Sequence, residues 1–263
     1  MTLRNSRWRW VRAAYALLER ELVRFFRQPN RIVGAIGQPV IFWVLLGAAF
    51  RGSFKAPGVE ETYGQFFLPG VAVMITLFTA IFSTISVIED RREGFLQGVL
   101  VAPVGRSSLV LGKILGGTVL AVLQATLFLL LAPTVGIGLS AMSLLGAVGV
   151  LGVVAFGLTG LGFAIAWRMD STQGFHAIMS VFLLPLWLLS GSVFPASGAH
   201  PALAFVLRLN PLSYGVAALR HALGMGGASP GPLVCLAVSA LFALAMFLLA
   251  LKLAGRPAKG DLQ

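Results

Sequence analysis

The chain has 263 residues, of which 57% are hydrophobic and only 11% charged, against about 25% charged in soluble domains; with a mean hydropathy of +0.89 this excludes an ordinary soluble domain and points to an integral membrane protein. The net charge of +11 does not argue for nucleic acid, because eight of the 20 Lys and Arg residues fall in the first 31 positions, beside an apolar run, in the positive-inside pattern. A single cysteine, Cys235, excludes an intrachain disulfide, and three scattered histidines (His176, His200, His221) show no metal-ligand spacing.

Residues 1–31 read as an N-terminal amphipathic helix. Trp8, Val11, Tyr15, Leu18, Leu22 and Phe25 recur at helical spacing, with Arg9, Arg12, Arg20, Arg24 and Arg27 mostly elsewhere around the wheel. Glu19, Arg20, Glu21 and Arg24 interrupt the apolar stretch that a signal peptide would need. Gln28-Pro29-Asn30 ends the helix, which is expected to lie along the inner membrane surface against anionic lipid, as an anchor or as a docking element.

Six apolar runs follow at about the 20 residues a bilayer span requires: 32–50, 66–88, 110–135, 142–167, 175–194 and 233–252. Arg31 and Arg51 bracket the first, the short "PTVGIGLSAMS" joins the third to the fourth, and Pro185 interrupts the fifth before "SGSVFP". The expected organisation is the amphipathic helix (1–31), a transmembrane domain (32–253) and a tail (254–263). With the N-terminus inside, 16 Lys and Arg lie on the inner side and 4 on the outer, so both termini are expected in the cytoplasm.

The segment "EDRREGFLQGVLVAPVGRSSLVLGK", residues 89–113, concentrates scarce charge. A charged residue at a span centre costs roughly 2.5–3.5 kcal/mol on insertion scales, so 89–93 must leave the hydrocarbon. Asp90, with Glu93 three residues on, reads as a helix start, Phe95, Leu96, Val99 and Leu100 as an apolar ridge, and Pro103 as its stop, with Ser107 or Ser108 capping the next helix. Such a ridge packs against the membrane surface or a soluble partner.

Gly112-Lys113 lacks the upstream glycine and the hydroxyl of a phosphate-binding loop and reads as a helix start with a snorkelling lysine. Energy for any transport must therefore come from another polypeptide or an ion gradient. All nine acids fall in expected loops or at span ends, against the usual ion-driven carrier, and no carboxylate pair or Ser-His-Asp set suggests an embedded enzyme. Thr76, Thr79, Ser83 and Ser86 form one helical stripe, either helix packing or a polar path lining with Gln38 and Gln124. Glycines 112, 116, 117, 149, 152, 157, 160 and 162 are expected to permit close helix approach.

Together with "LLSGSVFPASGAHPALAFVLRLNPLSYGVAALRHAL" (188–223), the 89–113 segment resembles ABC-2 type transporter permeases over residues from about 10 to 252, with drug-export and nodulation-factor-export permeases nearest in look. The resemblance implies an all-α integral membrane fold: six transmembrane helices, an N-terminal interfacial helix, a cytoplasmic coupling helix and outer re-entrant helices. By resemblance, 89–103 would be the coupling helix in a groove of a separate ATPase subunit, with Glu89, Asp90, Arg92, Glu93, Gly94, Leu96, Gln97, Leu100, Pro103 and Arg106 at the contact. Phe95 stands where that family usually has a small hydroxyl residue, and Gln97 where it has Glu. Ser190, Gly191, Pro195, Asn210, Pro211, Tyr214 and Arg220 would belong to an outer gate. It further implies a permease pair with two ATPases, ATP and Mg bound only by the partner, and export of an amphipathic or glycan-linked substrate across a bacterial inner membrane. The alternative is an ion-gradient-coupled secondary transporter.

Overall fold

The computed structural model describes residues 2–27, 29–50, 61–96, 98, 105–195, 200–225 and 230–255. No strand occurs among them. The helices are α1 (Thr2–Phe26), α2 (Pro29–Ala49), α3 (Tyr63–Ser83), α4 (Ile85–Arg92), α5 (Arg106–Leu129), α6 (Ala141–Ala166), α7 (Thr172–Leu188), α8 (Pro201–Leu209), α9 (Pro211–Ala222) and α10 (Pro232–Ala254).

Four continuous helical stretches are long and apolar enough to cross a membrane: Tyr63–Arg92, Arg106–Val135, Ala141–Ala166 and Pro232–Ala254. The bent pair α8–α9, at 82°, would make a fifth. Of the two other expected spans, the first lies on α2, which runs from Pro29 to Ala49, and the fifth is α7, which stops at Leu188, six residues before the expected end. Pro185 does not break α7, which runs through it.

Local sequence explains the helix ends. Thr62 and Gln65 form a reciprocal capping box at the start of α3, and Ser140 with Ser143 does the same for α6. The expected tight connection between the third and fourth apolar runs is a 3₁₀ turn, Ala132–Val135, closed by Gly136 with φ of 85°.

Helix α6 sits centrally, packed on α10, α5, α3 and α9, while α5 is sandwiched between α1, α3 and α6. Glycines set these distances. A Cβ on Gly117 would lie 2.3 Å from the Ser83 hydroxyl, one on Gly157 2.8 Å from the Phe242 ring, and one on Gly162 2.8 Å from the Thr84 hydroxyl. Gly149 and Gly152, expected to do likewise, meet nothing within 4 Å.

The largest departure concerns α1. Its buried strip is Ala14, Leu17 and Glu21, and this strip packs onto Gly112 and Gly116 of α5. The aromatic stripe stays largely uncovered, with Trp8 and Tyr15 exposed, as an interfacial helix requires. So α1 is both a surface helix and a packed member of the bundle. A Cβ on Gly112 would lie 2.7 Å from the Ala14 carbonyl oxygen, which is backbone and cannot rotate away. Gly112→Val is therefore expected to separate α1 from α5 at a cost of about 1–3 kcal/mol. Limited proteolysis checks this: cleavage within residues 10–27 should accelerate, and an unchanged pattern would refute the contact.

Candidate functional site

Among the described residues most of the ion pairs gather in one cluster, where α1, α4 and the start of α5 meet. Lys113, on α5, is buried and donates from Nζ to Glu21 of α1 at 2.5 Å, to Ser86 Oγ at 3.1 Å, and to Asp90 of α4. Arg20 grips Asp90 with both terminal nitrogens at 2.8 Å, and Arg24 bonds Asp90 at 3.2 Å and Glu89 at 2.7 Å. Three carboxylates thus face three cations, which is how buried charge is tolerated. The hydrogen bond to Asp90, the largest influence, raises the Arg20 pKa above its ordinary value.

This geometry corrects the reading of 89–93. Asp90 does not start a helix; it lies in the last turns of α4, fully buried and held by three cations of its own chain. It is therefore unavailable to an ATPase in this conformation. The charges do leave the apolar span, but as the helical continuation of it. The chain turns at Gly94, with φ of 74°, a left-handed conformation that favours glycine. Helical backbone resumes at Phe95, with the Gly98 amide bonded to the Gly94 carbonyl at 3.3 Å.

The remaining expected contact residues divide. Arg92, Glu93 and Gly94 are exposed, and Glu89 is half-buried beneath Arg24. Leu96 is buried in the protein's own core at 2% exposure, so it is not an outward ridge residue. Arg106 is exposed, yet its guanidinium donates to the carbonyls of Ala254 at 3.0 Å and Gly255 at 3.1 Å. It caps the C-terminus of α10, where a cation is favourable. Gln97, Leu100 and Pro103 lie outside the described residues. Ser107 and Ser108 do not cap α5 by side chain: Ser107 accepts from the Trp10 indole at 2.9 Å, latching α1, and Ser108 donates to the Gly105 carbonyl at 2.6 Å. Arg91, beneath the cluster, donates to Asp170 at 3.2 Å and the Trp167 carbonyl at 2.6 Å, tying α4 to the α6–α7 turn.

Lys113, Glu21, Arg20 and Arg24 are the site residues that sequence reasoning missed. Lys113 does not snorkel; its amine is buried in ion pairs.

At the other end, the second motif is brought together. Asn210 links α8 to α9: its side-chain oxygen accepts from the Leu212 amide at 3.0 Å, and its nitrogen donates to Leu186 and Leu189 carbonyls at 2.6 and 2.7 Å, satisfying the end of α7. Arg220 donates to the carbonyls of Gly191 at 3.0 Å and Phe66 at 3.3 Å, with its guanidinium over the Phe66 ring. Ser190 shares a hydrogen bond with Ser192 at 2.7 Å, and Tyr214 donates to the Arg208 carbonyl at 2.9 Å. Pro211 is the first residue of α9.

The hydroxyl stripe is packing for the most part. Thr76 bonds the Ala72 carbonyl at 2.9 Å, Thr79 donates to Gln124 Oε1 at 3.0 Å, and both are buried between α3 and its neighbours. Ser86 is buried against Lys113. A path lining must face open space, so within one chain these four side chains, Gln124 included, are corrected to helix contacts. Gln38 is exposed, and Ser83 is half-buried beside Gly117. Among the described residues no group of three His, Cys, Asp or Glu side chains could hold a metal.

The family model for ABC-2 type transporters matches residues 12–223. The chain is 28% identical over 214 residues to a protein named as a transport permease, ycf38, of Cyanophora paradoxa, covering 80% of this chain and 74% of that one. It is 25% identical over 220 residues to the daunorubicin resistance ABC transporter permease protein DrrB1 of Streptomyces coeruleorubidus, covering 80% and 75%. To nodulation protein J of Sinorhizobium fredii it is 27% identical over 230 residues, covering 86% of each. The matched region runs from α1, through the charge cluster and its turn, to the Asn210–Arg220 cap, and on this ground the chain, a multi-pass membrane protein helical over most of its described residues, belongs to the ABC-2 type transporter family.

Proposed function

We propose that this chain is the permease subunit of an ATP-driven exporter in a bacterial inner membrane, working as a pair of copies with two separate ATPase subunits that bind ATP and Mg. The observation that carries this reading is the braced turn at Gly94, where the span Tyr63–Arg92 hands over to the segment beginning at Phe95. A segment receiving force from an ATPase must be rigidly joined to the spans, and six charges on α1, α4 and α5 supply that joint. Arg92, Glu93 and Gly94 face outward there for a partner, with Gln97, Leu100 and Pro103 following in the docking segment.

The same cluster disfavours an ion-gradient carrier. Asp90, the most buried acid of the span, is saturated by Arg20, Arg24 and Lys113 and has no free lone pair for a travelling proton. Glu61 and Asp170 lie beyond the ends of α3 and α6. Export of an amphipathic or glycan-linked substrate, six crossings with both termini inside, and a path between the two copies touching Gln38 and Ser83 complete the proposal. The relative named for daunorubicin resistance supports the direction, and the outer cap of Ser190, Gly191, Asn210 and Arg220 is its gate.

Two measurements test it. In a Cys235→Ala background, cysteines at Ser140 and His200 should react with an impermeant reagent added to intact cells, and one at Gly98 should not. Labelling at Gly98 would overturn the orientation. Co-expression with an ATPase subunit encoded alongside should yield a co-purifying complex whose hydrolysis rises with substrate, and failure to form one would overturn the coupling.

A further inference from the structure

Arg20 does more than neutralise Asp90. While its two nitrogens hold the Asp90 carboxylate before the turn, its guanidinium carbon lies 3.8 Å from the centre of the Phe95 ring after the turn. One planar side chain on α1 thus touches both sides of the Gly94 bend. Gly94 itself offers no restraint, having no side chain, and a Cβ there would meet nothing within 4 Å; beyond the turn Leu96 is packed in the core, and Arg20 is the polar side chain that joins the two sides. A small residue at position 95 could not meet the guanidinium with a ring face, as Phe95 does. Arg24 backs the arrangement from the next turn of α1, at 2.7 Å from Glu89 and 3.8 Å from Glu93.

We infer that Arg20 and Phe95 form a clamp that fixes the direction in which the docking segment leaves the span, making α1 a positioning element for coupling. The inference rests on the proposed function for its consequence in transport, but not for its geometry. Arginine suits this role and lysine does not: only a planar fork can grip a carboxylate bidentately and stack on a ring together. The clamp predicts that an aromatic at 95 matters only while Arg20 is present.

The test uses the full chain with spin labels on Ala16→Cys of α1 and Gly98→Cys beyond the turn, in the Cys235→Ala background. Both sites are exposed, and neither belongs to the charge cluster. The unaltered clamp should give a narrow distance distribution. Phe95→Ser, which leaves every ion pair in place, and Arg20→Lys should each broaden it, and Phe95→Tyr should keep it narrow. In the complex with the ATPase, Phe95→Ser and Arg20→Lys should each lower transport per ATP hydrolysed by roughly two- to thirtyfold, the range of such a cation–π contact. The double variant should be no worse than the worse single one, since both break one contact. A distribution as narrow in Phe95→Ser as in the parent would overturn the clamp. Should the distances behave as expected while no ATPase is captured, the docking reading fails and the clamp stands.

Discussion

Lys113→Met is expected to destabilise the folded permease by about 3–5 kcal/mol, the cost of breaking a buried ion pair from one side. Three anionic side chains share the cluster, but they do not depend on Lys113 equally. Asp90 keeps Arg20 and Arg24 after the substitution. Glu21 keeps only Arg20, at 3.9 Å, having lost its 2.5 Å bond, and it stays only 5% exposed. Most of the cost falls on this desolvated carboxylate, left without a close partner. The damage should therefore be reversible at the partner: Glu21→Met with Lys113→Met removes both charges and leaves side chains of similar bulk, which is commonly neutral. Thermal denaturation of the detergent-solubilised protein, followed by size-exclusion profile, measures both. A single variant as stable as the parent would mean that water reaches this cluster, and a double variant as unstable as the single would mean that the pair itself was not the issue.

The reason this cluster was illegible in the sequence is separation. Lys113 has no acid within a turn or two along its own helix; its partners are 23 and 92 residues away. Read locally, a lysine at the start of an apolar helix reaches for the interface. Asp90-Arg91-Arg92-Glu93 matches a capping pattern, and nothing local says that the helical stretch containing it began at Tyr63 and continued past Thr84. Hydrophobic periodicity was misleading for α1 in an instructive way. It selects the aromatic stripe Trp8–Tyr15, which faces outward, whereas the packed strip is a small residue, a leucine and a glutamate. Close packing on glycine needs smallness, and an apolar score does not register it.

Elsewhere local chemistry explains the element. Asn210 and Pro211, taken from the sequence only as part of the outer-gate motif, start α9, with Asn210 as its cap and Pro211 as its first residue. Arg220, read only as part of a motif, turns out to be the strut between α9, the Gly191 turn and the start of α3. The glycines of α5 and the second half of α6 permit the close approaches that their spacing suggested, with partners the sequence could not name. Apolar run length alone does not number the crossings: α7 has 17 residues, and the outer pair α8–α9 bends by 82°.

Leu96→Asp should behave differently from an outward-facing docking variant. A leucine on an exposed ridge, replaced by aspartate, would leave the permease folded and only release its partner. Leu96 is instead packed in the permease's own core, two residues past the Gly94 turn and next to the Phe95 ring that carries Arg20. A carboxylate there has no cation to spare, because Arg20 and Arg24 are already committed to Asp90 and Glu89. Burying it costs several kcal/mol, so the segment should detach from the bundle and the permease itself should lose thermal stability, whether or not an ATPase is present. Arg92→Glu is the contrasting change: exposed and outside the ion-paired cluster, it should leave the melting profile within about 0.5 kcal/mol of the parent while weakening ATPase capture, since reversing a charge at an interface sets like against like. Thermal profiles of the isolated permease and pull-downs of the complex separate the two. If Leu96→Asp melts like the parent, the leucine faces away from the bundle. If Arg92→Glu captures the ATPase as well as the parent does, the exposed face at 92–94 is not where the partner docks.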